Sequence, residues 1–134
     1  MSSFIPKVIL LCVLILISMH NILGKTHVNI VNSLEGNLDL TLHCKSADDD
    51  LGVQLLHHGG SFSFSFNPKF IIIGTTQFYC SFVWNGELHW FDIYVSGDYR
   101  KTNCDDCNWN IFKSGPCRKP EHGEPICFSW NKNK

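Results

Sequence analysis

The chain has 134 residues, with 11 Lys/Arg against 12 Asp/Glu and a formal charge of −1. No basic stripe is present to neutralise phosphates, which disfavours nucleic-acid binding by electrostatics, and no cationic amphipathic helix points to a membrane surface. The length suits one small domain rather than two.

Lys7 precedes VILLCVLILISM, Val8 to Met19, a run without a charge. A short cationic stretch followed by such a run is the pattern of a secretory signal peptide. It falls short of the ~20 residues that span a bilayer. The expectation is a signal peptide over residues 1–24, cleaved near Gly24, and one domain over 25–134. That domain holds ten basic and twelve acidic residues, a charge of −2. Cys12 falls within the apolar run. The other six cysteines, Cys44, Cys80, Cys104, Cys107, Cys117 and Cys127, are an even set in a small secreted domain. Such a set reads as a framework of up to three disulfides, with fifteen possible pairings left open.

HVNIVN (27–32) reads as a first strand and EGN (35–37) as a turn. LDLTLHC (38–44) alternates: Leu38, Leu40, Leu42 and Cys44 point one way, Asp39, Thr41 and His43 the other. A period of two marks a half-buried strand. SFSFSF (61–66) repeats it with three phenylalanines against three serines, until Pro68 ends the ladder. In QFYCSFVWNGELHWFDIYV (77–95), Asn85-Gly86 predicts a two-residue hairpin turn, because both positions need φ > 0. Counting outward sets Trp84 against Glu87, Phe82 against His89, Cys80 against Phe91 and Phe78 against Ile93. The other face then carries Tyr79, Val83, Leu88, Trp90 and Tyr94, so the hairpin is apolar on both sides. CNWNIF (107–112) and PICFSW (125–130) are two later strands, and KSGPCRKPEHGE (113–124) between them is a loop by composition. Seven or eight short strands predict an all-β fold, a small disulfide-linked antiparallel β-sandwich.

Three patterns could carry chemistry. Asp48-Asp49-Asp50 fails as an EF-hand loop: counted from Asp48, Val53 takes the glycine position and Gly59 the bidentate glutamate position. The acids suit an exposed turn instead. His57 and His58 are adjacent on a strand end, so they face apart and share no metal. Cys104-x-x-Cys107 has redox spacing, but in a secreted all-β context it reads as two half-cystines of different bridges. No G-x-S-x-G elbow occurs, and no pair of carboxylates is singled out for glycoside hydrolysis.

The strings LTLHCKSADDDLG (40–52), SFSFSFNPKF (61–70), TTQFYCSFVW (75–84), HWFDIYV (89–95), CDDCNWNI (104–111), GPC (115–117) and ICFSWN (126–131) resemble, in order, the plant self-incompatibility S1 family, or S-protein homologues. The resemblance implies a secreted plant protein with a signal peptide, an extracellular ligand for a cell-surface receptor protein. It also implies no enzymatic activity, in keeping with the residue patterns above, and no cofactor or metal is expected. Recognition in such ligands belongs on loops, where variation leaves the scaffold intact. Here the loops are Ser46–Gly52, Ser96–Asn103 and Lys113–Glu124, with Asp48, Asp49, Asp50, Asp98, Arg100, Lys101, Arg118 and Lys119 as candidate contacts. Two alternatives stand beside this one. A carbohydrate- or cell-wall-binding module would use Trp90, Tyr94 and Tyr79 as an aromatic platform. A small hydrolase would need a cleft holding two carboxylates of raised pKa.

Overall fold

The computed structural model describes residues 4–23, 25–68, 74–98 and 104–132. Helix α1 (Phe4–Leu23) comes first, and its side chains from Val8 to Leu16 are exposed. No helix among the described residues is long and apolar enough to cross a membrane. Among the described residues nine strands follow, against the seven or eight expected: β1 (Thr26–Asn32), β2 (Leu40–Lys45), β3 (Asp50–Leu56), β4 (Ser61–Phe66), β5 (Gln77–Trp84), β6 (Glu87–Val95), β7 (Asp106–Phe112), β8 (Gly115–Lys119) and β9 (Ile126–Cys127). They form two sheets, ordered β4-β1-β7-β8-β9 and β3-β2-β5-β6. The β-sandwich expectation holds, with one qualification: β1 and β7 run parallel, and the remaining pairings are antiparallel.

Alternation in sequence becomes alternation in burial. Leu40, Leu42 and Cys44 of β2 are buried, as are Cys107, Trp109 and Ile111 of β7. These faces meet Val28, Ile30, Phe82, Phe91 and Ile93 in one core. The phenylalanines of β4 are only half-buried, because β4 is an edge strand. Phe64 and Phe66 still reach Phe78 of the other sheet, with ring centroids 5.0 and 4.7 Å apart.

The hairpin turn forms as its dipeptide predicts, with φ of 49° at Asn85 and 74° at Gly86. Trp84 pairs with Glu87, Phe82 with His89 and Cys80 with Phe91. The register then slips. Tyr79 pairs with Asp92, and Phe78 pairs with Tyr94 rather than with Ile93. A β-bulge adds one residue to the β6 side and reverses the side chains beyond it. Tyr94 therefore turns inward, 6% exposed, and its ring meets that of Phe66 edge-on at 4.8 Å.

Two strands were hidden in stretches that read as connections. β3 starts at Asp50, inside the predicted Ser46–Gly52 loop, and β8 occupies Gly115–Lys119, inside the predicted Lys113–Glu124 loop. β3 is an edge strand whose register against β2 slips between His43 and Lys45, which breaks any clean alternation. β8 lies between β7 and β9 and buries four consecutive residues.

The bridges are Cys44–Cys80, Cys104–Cys107 and Cys117–Cys127. The first and third join residues paired directly across neighbouring strands. The second corrects the expectation of two separate bridges: Cys104 lies 5.3 Å by Cα from Cys107, within disulfide reach, and the pair closes on itself.

Asn32 ties the end of β1 to three other segments. It is fully buried; its Nδ2 donates to the carbonyls of Leu38 and Leu56, and its Oδ1 accepts the Leu34 N–H. Its backbone bonds Gly59 and Gly60. At the other margin, the segment after β9 straps the two sheets together. The Phe128 N–H donates to the Pro116 carbonyl, and the Asn131 N–H to the Trp90 carbonyl. Between them, Trp130 stacks on His89 at 5.1 Å and donates its Nε1 hydrogen to the Lys113 carbonyl.

Candidate recognition surface

The pairings decide which connections share an end of the sandwich. Lys45 sits opposite Asp50 and Tyr79, and Gln77 opposite Val95, so the β2–β3 turn, the start of β5 and the end of β6 lie together. In the other sheet Thr26 meets Phe66, His27 meets Asp106, and Asn108 meets Lys119. The Phe66–Phe78 and Phe66–Tyr94 contacts bring these two sets of strand ends together. One end thus collects Asp48, Asp49 and Asp50, then Asp98, then Asp105, Asp106 and Glu121. These are seven of the chain's twelve acids.

The three consecutive aspartates are not equivalent. Ser46 Oγ accepts the backbone N–H groups of Asp48 at 3.4 Å and Asp49 at 3.1 Å, and the Ser46 N–H donates to the Asp49 carbonyl. This tight turn keeps Asp48 and Asp49 exposed on its crest. Asp50 belongs to the strand instead. Its Oδ1 lies 2.5 Å from His43 Nε2 and accepts the Gly52 N–H, and its Oδ2 is 4.0 Å from Lys45 Nζ. The His43 hydrogen bond, aided by the Gly52 N–H, holds the Asp50 carboxyl below its ordinary pKa.

Asp98 is half-buried just past β6, with its N–H donated to the Val95 carbonyl. Arg100 and Lys101 lie outside the described residues. Lys119 is exposed at the end of β8. Arg118 is not an exposed loop residue. It sits opposite Trp109, is 3% exposed, and its burial lowers the guanidinium pKa. The composition of 113–124, rich in Pro and Gly, concealed a buried strand position. Asp105 and Asp106 went unselected in the sequence, although their place beside Cys104-x-x-Cys107 was the available signal.

Two clefts open at this end. One, of about 410 Å³, lies between the Ser46–Asp49 turn and Phe66, Gln77, Phe78 and Tyr79. The other, of about 570 Å³, lies among Cys104, Asp105, Asp106, Arg118, Lys119 and Glu121. The adjacent His57 and His58 have separate settings. His57 Nδ1 lies 2.9 Å from Asp39 Oδ1, and His58 is exposed in the turn before β4. Among the described residues no three His, Cys, Asp or Glu side chains converge as metal ligands.

The fold is a two-sheet β-sandwich, crosslinked within its sheets and carrying acid-rich connections at one end. The chain belongs to the plant self-incompatibility protein S1 family, whose model matches residues 27–130. It is similar to S-protein homolog 3 of Arabidopsis thaliana, 46% identical over 111 residues, which cover 79% of this chain and 73% of that one. S-protein homolog 4 of the same plant is 45% identical over 115 residues, covering 82% and 75%. Among solved structures, one of self-incompatibility protein homologue proteins matches with a TM-score of 0.57 at 20% identity, covering 81% of this chain and 96% of that one. That structure is described as belonging to a widespread family of small, highly stable, secreted proteins from plants.

Proposed function

We propose that this protein is a secreted, non-enzymatic ligand recognised at a plant cell surface by a receptor protein. Residues 1–24 serve as the signal peptide and 25–134 as the extracellular domain. The observation that carries this reading is the gathering of acidic residues from separate connections at one end of a rigid sandwich. Loops held on a fixed scaffold can vary without loss of fold, and the excess of acids over Lys45, Arg118 and Lys119 among the described residues of this end steers a partner of the opposite sign. Secretion is supported by the charge-free run after Lys7 and by the secreted character described for the structural neighbour.

The test uses labelled protein recovered from the medium of plant cells, with its N-terminus sequenced. Saturable binding to intact cells is expected, weakening as salt rises. Reversing both crest charges, Asp48→Lys with Asp49→Lys, should lower affinity about tenfold or more without moving the melting temperature. Retention of the protein in the cytosol, or binding indifferent to the double reversal, refutes the reading.

A further inference from the structure

The two outer faces of the sandwich differ. On the five-stranded sheet the outer positions include Ser61, Ser63 and Ser65 beside Asn29, Asn108 and Asn110, and Ser63 Oγ donates to Asn29 Oδ1 at 2.6 Å. Val31 and Phe112 share this side but are half-buried, so the face is mostly polar. On the four-stranded sheet, the register lines up Leu55, Thr41, Val83 and Leu88 in one row across all four strands. The next row is Val53, His43, Ser81 and Trp90, and the third holds Tyr79 between Lys45 and Asp92. Val53, Leu55 and Leu88 are 63, 60 and 56% exposed; among the described residues no other large apolar side chain outside α1 is as open. Tyr79 and Trp90 stand side by side, ring centroids 6.4 Å apart.

Charge and size restrict what this face fits. His43 and Lys45 are paired with Asp50, and at the margin His57 is paired with Asp39. Asp92 adds a further acid to the same face, which therefore has no excess of basic groups to draw an anionic polymer. Four strands and three rows span roughly 14 Å by 14 Å, or about 200 Å². A stable dimer needs about 800 Å² from each copy. A membrane surface would ask for a basic rim. An uncharged chain of sugar rings matches both the area and the alternation of apolar and hydroxyl groups.

We propose that the outer face of the four-stranded sheet binds a neutral polysaccharide. The apolar faces of its sugar rings stack on Trp90 and Tyr79 and run along Leu55, Val83 and Leu88. The hydroxyls of Thr41 and Ser81 meet those of the sugar. The platform differs from the trio read in the sequence, because the β6 bulge takes Tyr94 into the core and the sheet register adds the aliphatic row. It shares Tyr79 with the cleft at the acidic end, but Trp90, Leu55, Val83 and Leu88 do not line that cleft, so variants at Trp90 and Leu55 test this face separately from the acidic end.

The test is electrophoresis of the secreted protein through native gels containing hydroxyethylcellulose, xyloglucan or anionic polygalacturonate. Retardation is expected on a neutral glucan. Trp90→Ala and Leu55→Ser should each weaken it about tenfold, with unchanged circular dichroism. Ser63→Ala, on the opposite sheet, should leave it intact. Leu55 is exposed on an edge strand, so its variant stays informative if Trp90→Ala misfolds. The proposal is overturned if no neutral glucan retards the protein, or if only polygalacturonate does. It is equally overturned by retardation that survives both substitutions, or by a concentration-dependent dimer that Leu55→Ser abolishes, which would assign the face to a second copy.

Discussion

Asn32 shows how much one buried amide can organise. Its side chain satisfies the Leu38 carbonyl and the Leu34 N–H in the β1–β2 connection and the Leu56 carbonyl at the end of β3. Asn32→Ala leaves all three without a partner and should destabilise the domain by about 3 kcal/mol in urea titration. Asn32→Asp should be worse, since a carboxylate only accepts and would face two carbonyl oxygens. In HVNIVN the period of two sets Asn32 on the face of Val28 and Ile30 and Asn29 on the other, but nothing in the sequence shows which groups a buried Asn32 bonds. Asp50 is the residue-scale case for pH. Its depressed pKa means that the folded state holds the charged form more tightly than the unfolded chain does. That contribution is present above the unfolded pKa and is lost as pH falls through the folded one. Asp50→Asn should lower the melting temperature slightly near pH ~6, and the difference from wild type should fade toward pH ~2. The effect is small because the group is exposed.

Elements were legible where side chains alternate. β2, β5 and β7 bury every second residue over most of their length, and the pattern is written in Leu, Phe, Cys and Trp at spacing two; β6 does so only from Phe91 to Ile93. The Asn85-Gly86 turn fixed the hairpin register for as long as counting by twos held. The bulge near Ile93 broke the count, and no turn residue announces it. β3 and β8 escaped notice for different reasons: one is an irregular edge, the other short and buried on both sides. β8 also carries the tightest backbone approach. Gly115 has φ of 146°, and a Cβ there would run into the carbonyl oxygen of Phe128. That oxygen belongs to main chain rather than to a flexible tip, so the strap must move to make room. Gly115→Ala should lower the melting temperature by about 10 °C or more, corresponding to a loss of at least 2–3 kcal/mol. Proteolysis should then begin in the C-terminal strap.

For the whole molecule, the sandwich class followed from strand spacing, but the candidate site did not. The acids converge because β1 and β7 run parallel and β2 returns as β3, facts of topology that residues 48–50 and 105–106 do not carry in their own neighbourhood. The pairing of six cysteines was equally out of reach. With the bridges assigned, their weights can be ranked. Cys44–Cys80 closes a separation of 36 residues, Cys117–Cys127 one of 10 and Cys104–Cys107 one of 3. Chain entropy assigns them about 4, 3 and 2 kcal/mol. Double serine replacement of Cys44 and Cys80 should therefore impair secretion most, and that of Cys104 and Cys107 least. Equal melting temperatures for the two variants would contradict the ranking.

Every bridge lies within one sheet or beside one strand. The molecule is thus two separately riveted plates, with no rivet through both. What keeps plate on plate is the exclusion of water from Trp109, Phe91, Phe82 and their neighbours, together with the strap at one margin. A reducing agent and a denaturant therefore attack different joints. Urea can part the plates while each keeps its stitching, and a chain unfolded that way still holds Cys44 against Cys80, one rung of the β2–β5 ladder already aligned for its return.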